Sequence, residues 1–307
     1  MIKNQLFGVE VEMTGITREK AATIIANVLG VTPSQPRGNC YHTRTIVDHS
    51  LRKWKIMRDS SISPIRNDGS NHPIDEYRVE FVTPPLKYDD IDLLQTIIRK
   101  LRENGAKSHS SCGIHVHIDG ANHTPKSLRK LINFMTSRQD LIYEALQIGS
   151  REYDWCHKLN SALLDEMKKD KELTKEKAEQ IWYSNANDGY CGGIDHSHYN
   201  RTRYHGINLH SYFSKGTVEF RLFNSTLHAG KIKAYIQFCL AISAWSITSK
   251  ERVVFRSMTG YTPEQKVTIM RNILTHRLGL YGDEFKTCRL HLMTPLKKAA
   301  GIICRAA

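Results

Sequence analysis

The sequence predicts an α+β fold built on a largely antiparallel sheet, and three observations carry that expectation. Short stretches of apolar–polar alternation recur along the chain, as strands with one covered face require. Long amphipathic helices separate them. The two kinds of segment do not alternate in the regular phase of a βαβ protein, which argues against a parallel sheet.

In chain order, "FGVEVEM" (7–13) alternates Val9 and Val11 with Glu10 and Glu12 and reads as a first strand. "TREKAATIIANVLG" follows as a helix, with Thr17 as N-cap and Gly30 as its stop. "LRKWKIMRDSSI" holds a strand ending at Asp59, and "SPIRNDGSNHP" is dense in turn residues and reads as a loop. "EYRVEFVTPPL" is a strand closed by Pro84 and Pro85. "YDDIDLLQTIIRKLRENG" is a helix with acids in its first turn, bases in its last and Gly105 as its stop.

"CGIHVHIDG" is a further alternating strand, leading into one long helix, "TPKSLRKLINFMTSRQDLIYEAL", capped by Thr124 with Pro125 in its first turn. Residues 150–200 are more polar, with a charged helix and then the loose stretch "NDGYCGGIDHSHYNR". "YHGINLHSY" and "GTVEFRLFN" are expected as a hairpin turning through "FSKG". The helix "HAGKIKAYIQFCLAISAWSI", Trp245 included, packs behind them as core. Residues 1–250 form the principal domain on this reading, with an insertion at about 150–200 and a helical extension over 251–307.

Composition narrows the class. With 307 residues, 40% hydrophobic and 24% charged, the chain has ordinary soluble proportions and room for a sizeable core. "MIKNQLFGVEVEM" lacks the apolar stretch of a signal peptide, and the apolar run over 235–247 is too short to span a bilayer. Seven cysteines without CxxC pairs suit a reducing compartment. The expectation is a soluble, cytoplasmic protein. A formal charge of +13 permits nucleic-acid binding, but equally suits anionic substrates. Stretches such as "DEMKKDKE" interleave both signs as a solvated helix does, so nucleic acid is not the expected partner.

Aligned by face, four strands share one pattern. Glu10 and Glu12, Arg78 and Glu80, His115 and His117, and Glu219 and Arg221 each stand at i and i+2 opposite an apolar face. A wet sheet face would be rich in Thr, Ser and Lys. These eight positions hold only Glu, His and Arg, which bind cations and phosphates. Carboxylates with histidine and no thiolate favour Mg²⁺ or Mn²⁺ over structural zinc, and arginine forks suit phosphate oxygens. Neither GxxxxGK[ST] nor GxGxxG after a strand is present, which argues against the common nucleotide folds.

The segments "FGVEVEM", "WKIMRDSSI", "RVEFVTPPL", "CGIHVHID" and "GTVEFRLFNSTLHAGKIKAYIQ", in that order, resemble the amidoligase family of the glutamine synthetase and glutamate–cysteine ligase superfamily. The resemblance implies a glutamine-synthetase-like catalytic domain: a curved antiparallel sheet with helices packed on one face and ATP with divalent ions on its concave face. It implies Glu10, Glu12, Glu80, His115 and Glu219 as metal ligands, and His117, Arg221 and, more loosely, Arg201 as nucleotide or phosphate contacts. Arg221, Arg203 and Glu80 take the catalytic roles. Asp59 resembles the family's D-x-S turn, with Ser60 where Gly is usual. The implied reaction is ATP-dependent amide formation between a carboxylate and an amine through an acyl-phosphate.

Two other readings stay open: a metal-dependent hydrolase on the same Glu and His face, and a basic nucleic-acid-binding protein on a ligase-like scaffold. His196 and His198 offer a rival metal pair, and Cys112 and Cys191 are nucleophile candidates without an evident base. The stretch "NDGYCGGIDHSHYN" reads either as a flap excluding water or as an ordinary surface loop. The sequence identifies neither the acid, nor the amine, nor the oligomeric state.

Overall fold

A computed structural model describes residues 1–35, 38–66, 69, 71–186, 193–251 and 258–302. The fold is mixed α+β, on an open antiparallel sheet of seven strands. These are β1 (Phe7–Met13), β2 (Arg44–Val47), β3 (Lys53–Met57), β4 (Val79–Val82), β5 (Gly113–Asp119), β6 (Ile207–Asn208) and β7 (Thr217–Asn224), in the order β2-β3-β4-β1-β5-β7-β6. Eleven α-helices accompany it among the described residues. The chain separates into two compact units: Leu6–Val116 with Phe223–Tyr235, and Met1–Gln5 with His117–Leu222 and Ile236–Ala307.

In the first unit, alternation does what the sequence requires of it. Val9, Val11, Trp54, Ile56, Val79, Phe81, Ile114 and Val116 all turn to one face and are buried. Trp54 stacks on Phe81 with ring centroids 6.1 Å apart. Helix α1 (Arg18–Leu29) starts where the Thr17 side chain accepts the Lys20 amide at 3.2 Å and ends at Gly30, which takes the left-handed φ of 69°. Helix α2 (Ile91–Glu103) buries Leu94, Ile97, Ile98 and Leu101 and packs against α1. Strand β2 has no counterpart in the sequence reading.

The second unit is mostly helical, and there the structure corrects two expectations. The single long helix expected after Thr124 is two, α3 (Pro125–Thr136) and α4 (Gln139–Leu146). Thr136 and Ser137 bond back onto Ile132 and Asn133, and the Ser137 carbonyl accepts the Arg138 guanidinium at 2.8 Å. Side-chain bonds of this kind compete with the helix ladder. Helices α5 (Arg151–Asp154), α6 (Ser161–Lys169) and α7 (Lys175–Asn185) follow.

The expected hairpin is the second correction. Its first strand is only the two residues of β6, and α8 (His210–Lys215) occupies the rest, with "FSKG" as its last turn. Asn208 causes the switch by accepting the Ser211 amide at 3.3 Å, and Gly216 stops the helix at φ 82°. β6 and β7 still pair antiparallel, Asn208 opposite Glu219. Helix α9 (Ala229–Thr248), whose Ile236–Thr248 part lies in this unit, precedes in chain order α10 (Pro263–Asn272), a π-helical turn (Ile273–Arg277) and α11 (Lys286–Ala299).

A Cβ on Gly206 would clash with the Tyr143 hydroxyl, which is fixed by donating to the Cys156 carbonyl at 2.7 Å. Gly206→Ala should therefore cost about 1–3 kcal/mol, read from the urea midpoint. His123 bridges the Ser127 and Ser243 hydroxyls, and burial pushes its pKa down from 6.5 to about 4. The unfolded chain binds the proton more readily, so this contribution is complete above pH 6.5 and lost as pH falls toward 4. It amounts to roughly 3 kcal/mol. His123→Gln should flatten the stability profile in that window, in part only, because burial shifts His210 likewise to about 4.

Candidate metal centre

Antiparallel pairing of β1 with β4 sets Glu12 opposite Glu80, and pairing of β3 with β4 sets Met57 on the other side of Glu80. β5 brings His115 to the same place. Glu12, Glu80 and His115 each present one ligand atom, and the three atoms lie within 4.8 Å of one another. Glu12 and His115 are buried and Glu80 is half-buried.

Each side chain is held. Glu12 accepts the Gly113 amide on one oxygen at 2.6 Å, while its other oxygen lies 3.8 Å from His115 Nε2. The Ser225 hydroxyl donates to the Glu12 carbonyl at 2.7 Å. Glu10 reaches the other side of the ring, with its carboxylate 2.9 Å from His115 Nδ1. That contact selects the tautomer carrying its proton on Nδ1 and leaves Nε2, on the side of Glu12, as a lone-pair donor.

The charge balance matters most. Two carboxylates within 4.8 Å of each other repel by roughly 3 kcal/mol or more at an effective dielectric near 20. Glu10 adds a third carboxylate, on the other side of the same imidazole. A divalent cation would remove the repulsion, and oxygen ligands with one imidazole and no thiolate fit Mg²⁺ or Mn²⁺. The donor set therefore fits such an ion.

In the second unit, Glu219 and Arg221 of β7 are both buried and form a pair, with the Arg221 guanidinium 2.8 Å from one Glu219 oxygen. Asn208 donates to the other oxygen at 2.8 Å. Tyr204 lies beneath two guanidinium groups, Arg221 at 5.8 Å and Arg203 at 5.6 Å from its ring centroid. Arg203 also donates to the His198 carbonyl at 2.7 Å. Arg201, at the start of the same turn, is exposed. His117 is half-buried, and its Nδ1 lies 3.0 Å from the Thr217 hydroxyl, itself 2.9 Å from Ser211.

The remaining sequence candidates go elsewhere. His196 pairs with Glu179 at 2.6 Å, whereas His198 sits edge-on to Tyr199, so the two form no common site. Cys112 is fully buried, which removes it as an accessible nucleophile, and Cys191 lies outside the described residues. Asp59 accepts the amide and hydroxyl of Ser61, both at 2.7 Å, and so closes its own turn. Part of the candidate flap, residues 187–192, is also outside the described residues. Sequence reading missed the groups that hold these side chains: Asn208, Ser225 and Tyr204. Their only signal is position, since Asn208 and Tyr204 flank Gly206 and Ser225 follows β7 directly.

Among the described residues no helix is long and apolar enough to cross a membrane. Compared with known proteins, residues 3–243 match a family model described as a putative amidoligase enzyme. The search of curated proteins finds no match.

Proposed function

Because the chain belongs to the family described as putative amidoligase enzymes, we propose that it joins a carboxylate to an amine at the expense of ATP, with Mg²⁺ or Mn²⁺. The Glu12–Glu80–His115 group supports this reading most, since a divalent cation would offset the repulsion between its carboxylates. A carboxylate is a poor acyl donor, and phosphorylation by ATP makes it one; amine attack on the acyl-phosphate then forms the amide and releases phosphate.

On this reading Glu12, Glu80 and the Nε2 of His115 hold metal, with Glu10 and Glu219 as further proposed ligands. The ion would neutralise charge that develops on the transferring phosphoryl. Glu10 keeps the His115 ring in its donor orientation through Nδ1, and the Gly113 amide fixes Glu12. Arg221 is assigned to the transferring phosphate, with Arg203 as the second arginine; His117 and Arg201 are assigned to the nucleotide. The candidate acids are an amino acid, a peptide or a protein side chain, and the candidate amines are ammonia, an amino acid or a polyamine.

The reaction is tested by following ADP and phosphate release across a panel of such acids and amines. ADP formation should require an acid and an amine together and fall to background in Glu12→Gln. Amide hydrolysis without nucleotide, lost in the same variant, would replace the ligase reading by a metallohydrolase.

A further inference from the structure

The second unit holds a cavity of about 290 Å³ lined by Arg138, Arg277, His276, Asn272 and Glu251. All but Arg138 come from beyond residue 243, where the family match ends. From this cavity we infer a binding site for a small oxyanion, a carboxylate or phosphate group held between the Arg138 and Arg277 guanidinium groups.

Arg138 is buried and is anchored by donating to the Ser137 carbonyl at 2.8 Å, at the break between α3 and α4. Arg277 ends the π-helical turn Ile273–Arg277. Such turns are uncommon and recur at functional sites, because the wider turn re-aims side chains that an α-helix would direct elsewhere. Its guanidinium lies over the Trp245 ring, 5.9 Å from the centroid, and its Nε is 3.5 Å from Glu251. The Arg277 NH1 nitrogen is buried and has no hydrogen-bond acceptor among the described residues.

A buried cationic donor without an acceptor is costly, and an anion in the adjoining cavity would supply one. The lining carries two arginines against the single carboxylate of Glu251, so the site is cationic before His276 is counted. Arginine forks match carboxylate and phosphate oxygens in two-point contacts. The volume is at the low end for ligand pockets and suits an ion or a small organic acid rather than a nucleotide.

The test is calorimetric titration of the full chain, without Mg²⁺, with inorganic phosphate and separately with glutarate, at ionic strength matched by NaCl. Saturable binding of at least one is expected, weakened about tenfold or more in Arg277→Met, which can keep the packing on Trp245. Glu251→Gln should tighten the same binding by removing the competing carboxylate. Phosphate alone would identify a phosphate site, and glutarate alone a carboxylate site. The proposal falls if neither anion binds the wild type saturably at millimolar concentration, or if NaCl alone reproduces the signal. It also falls if affinity is unchanged in Arg277→Met or, should that variant not fold, in Glu251→Gln.

Discussion

Arg221→Met is expected to cost about 3–5 kcal/mol of stability, because it leaves the Glu219 carboxylate buried without its cation. It should also lower affinity for Mg²⁺·ATP by at least about tenfold, through the loss of a charge-assisted contact to phosphate. The burial penalty alone is relieved in the double variant Glu219→Gln/Arg221→Met. Removing both charges ends the burial penalty, and Asn208 can still donate to the glutamine oxygen that replaces its carboxylate partner. Urea denaturation of the double variant should return to within about 1–2 kcal/mol of wild type. Its nucleotide affinity should stay low. Recovery of both would make Arg221 a purely structural residue.

The second large effect inverts with the metal. In EDTA, Glu12→Gln should be more stable than wild type by roughly 1–3 kcal/mol, since it relieves carboxylate repulsion within the Glu12–Glu80–His115 group. The glutamine carbonyl can still accept the Gly113 amide, so the strand contact survives. With saturating Mn²⁺ the order should reverse: wild type gains about 2.7 kcal/mol when the ion is at one hundred times its dissociation constant. The variant should bind the ion at least about tenfold more weakly and gain less. Thermal unfolding with and without Mn²⁺ reads this directly. A wild type indifferent to Mn²⁺ and Mg²⁺ would mean that the carboxylate cluster is not a metal site.

Much of this centre was legible because a strand's period of two leaves little freedom. Once Val9, Val11, Val79 and Phe81 are committed to a core, Glu10, Glu12 and Glu80 must stand on the opposite face. Spacing alone could not say that Glu12 would meet Glu80 rather than a neighbour, because register is a matter of pairing between distant segments. Strand β2 escaped notice for a related reason. Three of its residues, Arg44, Thr45 and Val47, are at least partly exposed, so it carries no clear alternation to read.

The α3–α4 break and helix α8 were hidden differently. Both depend on single side chains, Arg138 and Asn208, that bond to backbone groups and override a local pattern that otherwise continues. Glu219 and Arg221 were legible as residues, but the Asn208 and Tyr204 contacts that hold them are not, since neither contact follows from periodicity.

The central claim is that metal-bound ATP occupies this protein, and calorimetric titration with ATP in Mg²⁺ addresses it most directly. Wild type should bind saturably, with binding abolished by EDTA and lost in Glu12→Gln/Glu80→Gln. Folded wild type that takes up no ATP at millimolar concentration, or binds it equally well in EDTA, would contradict the account.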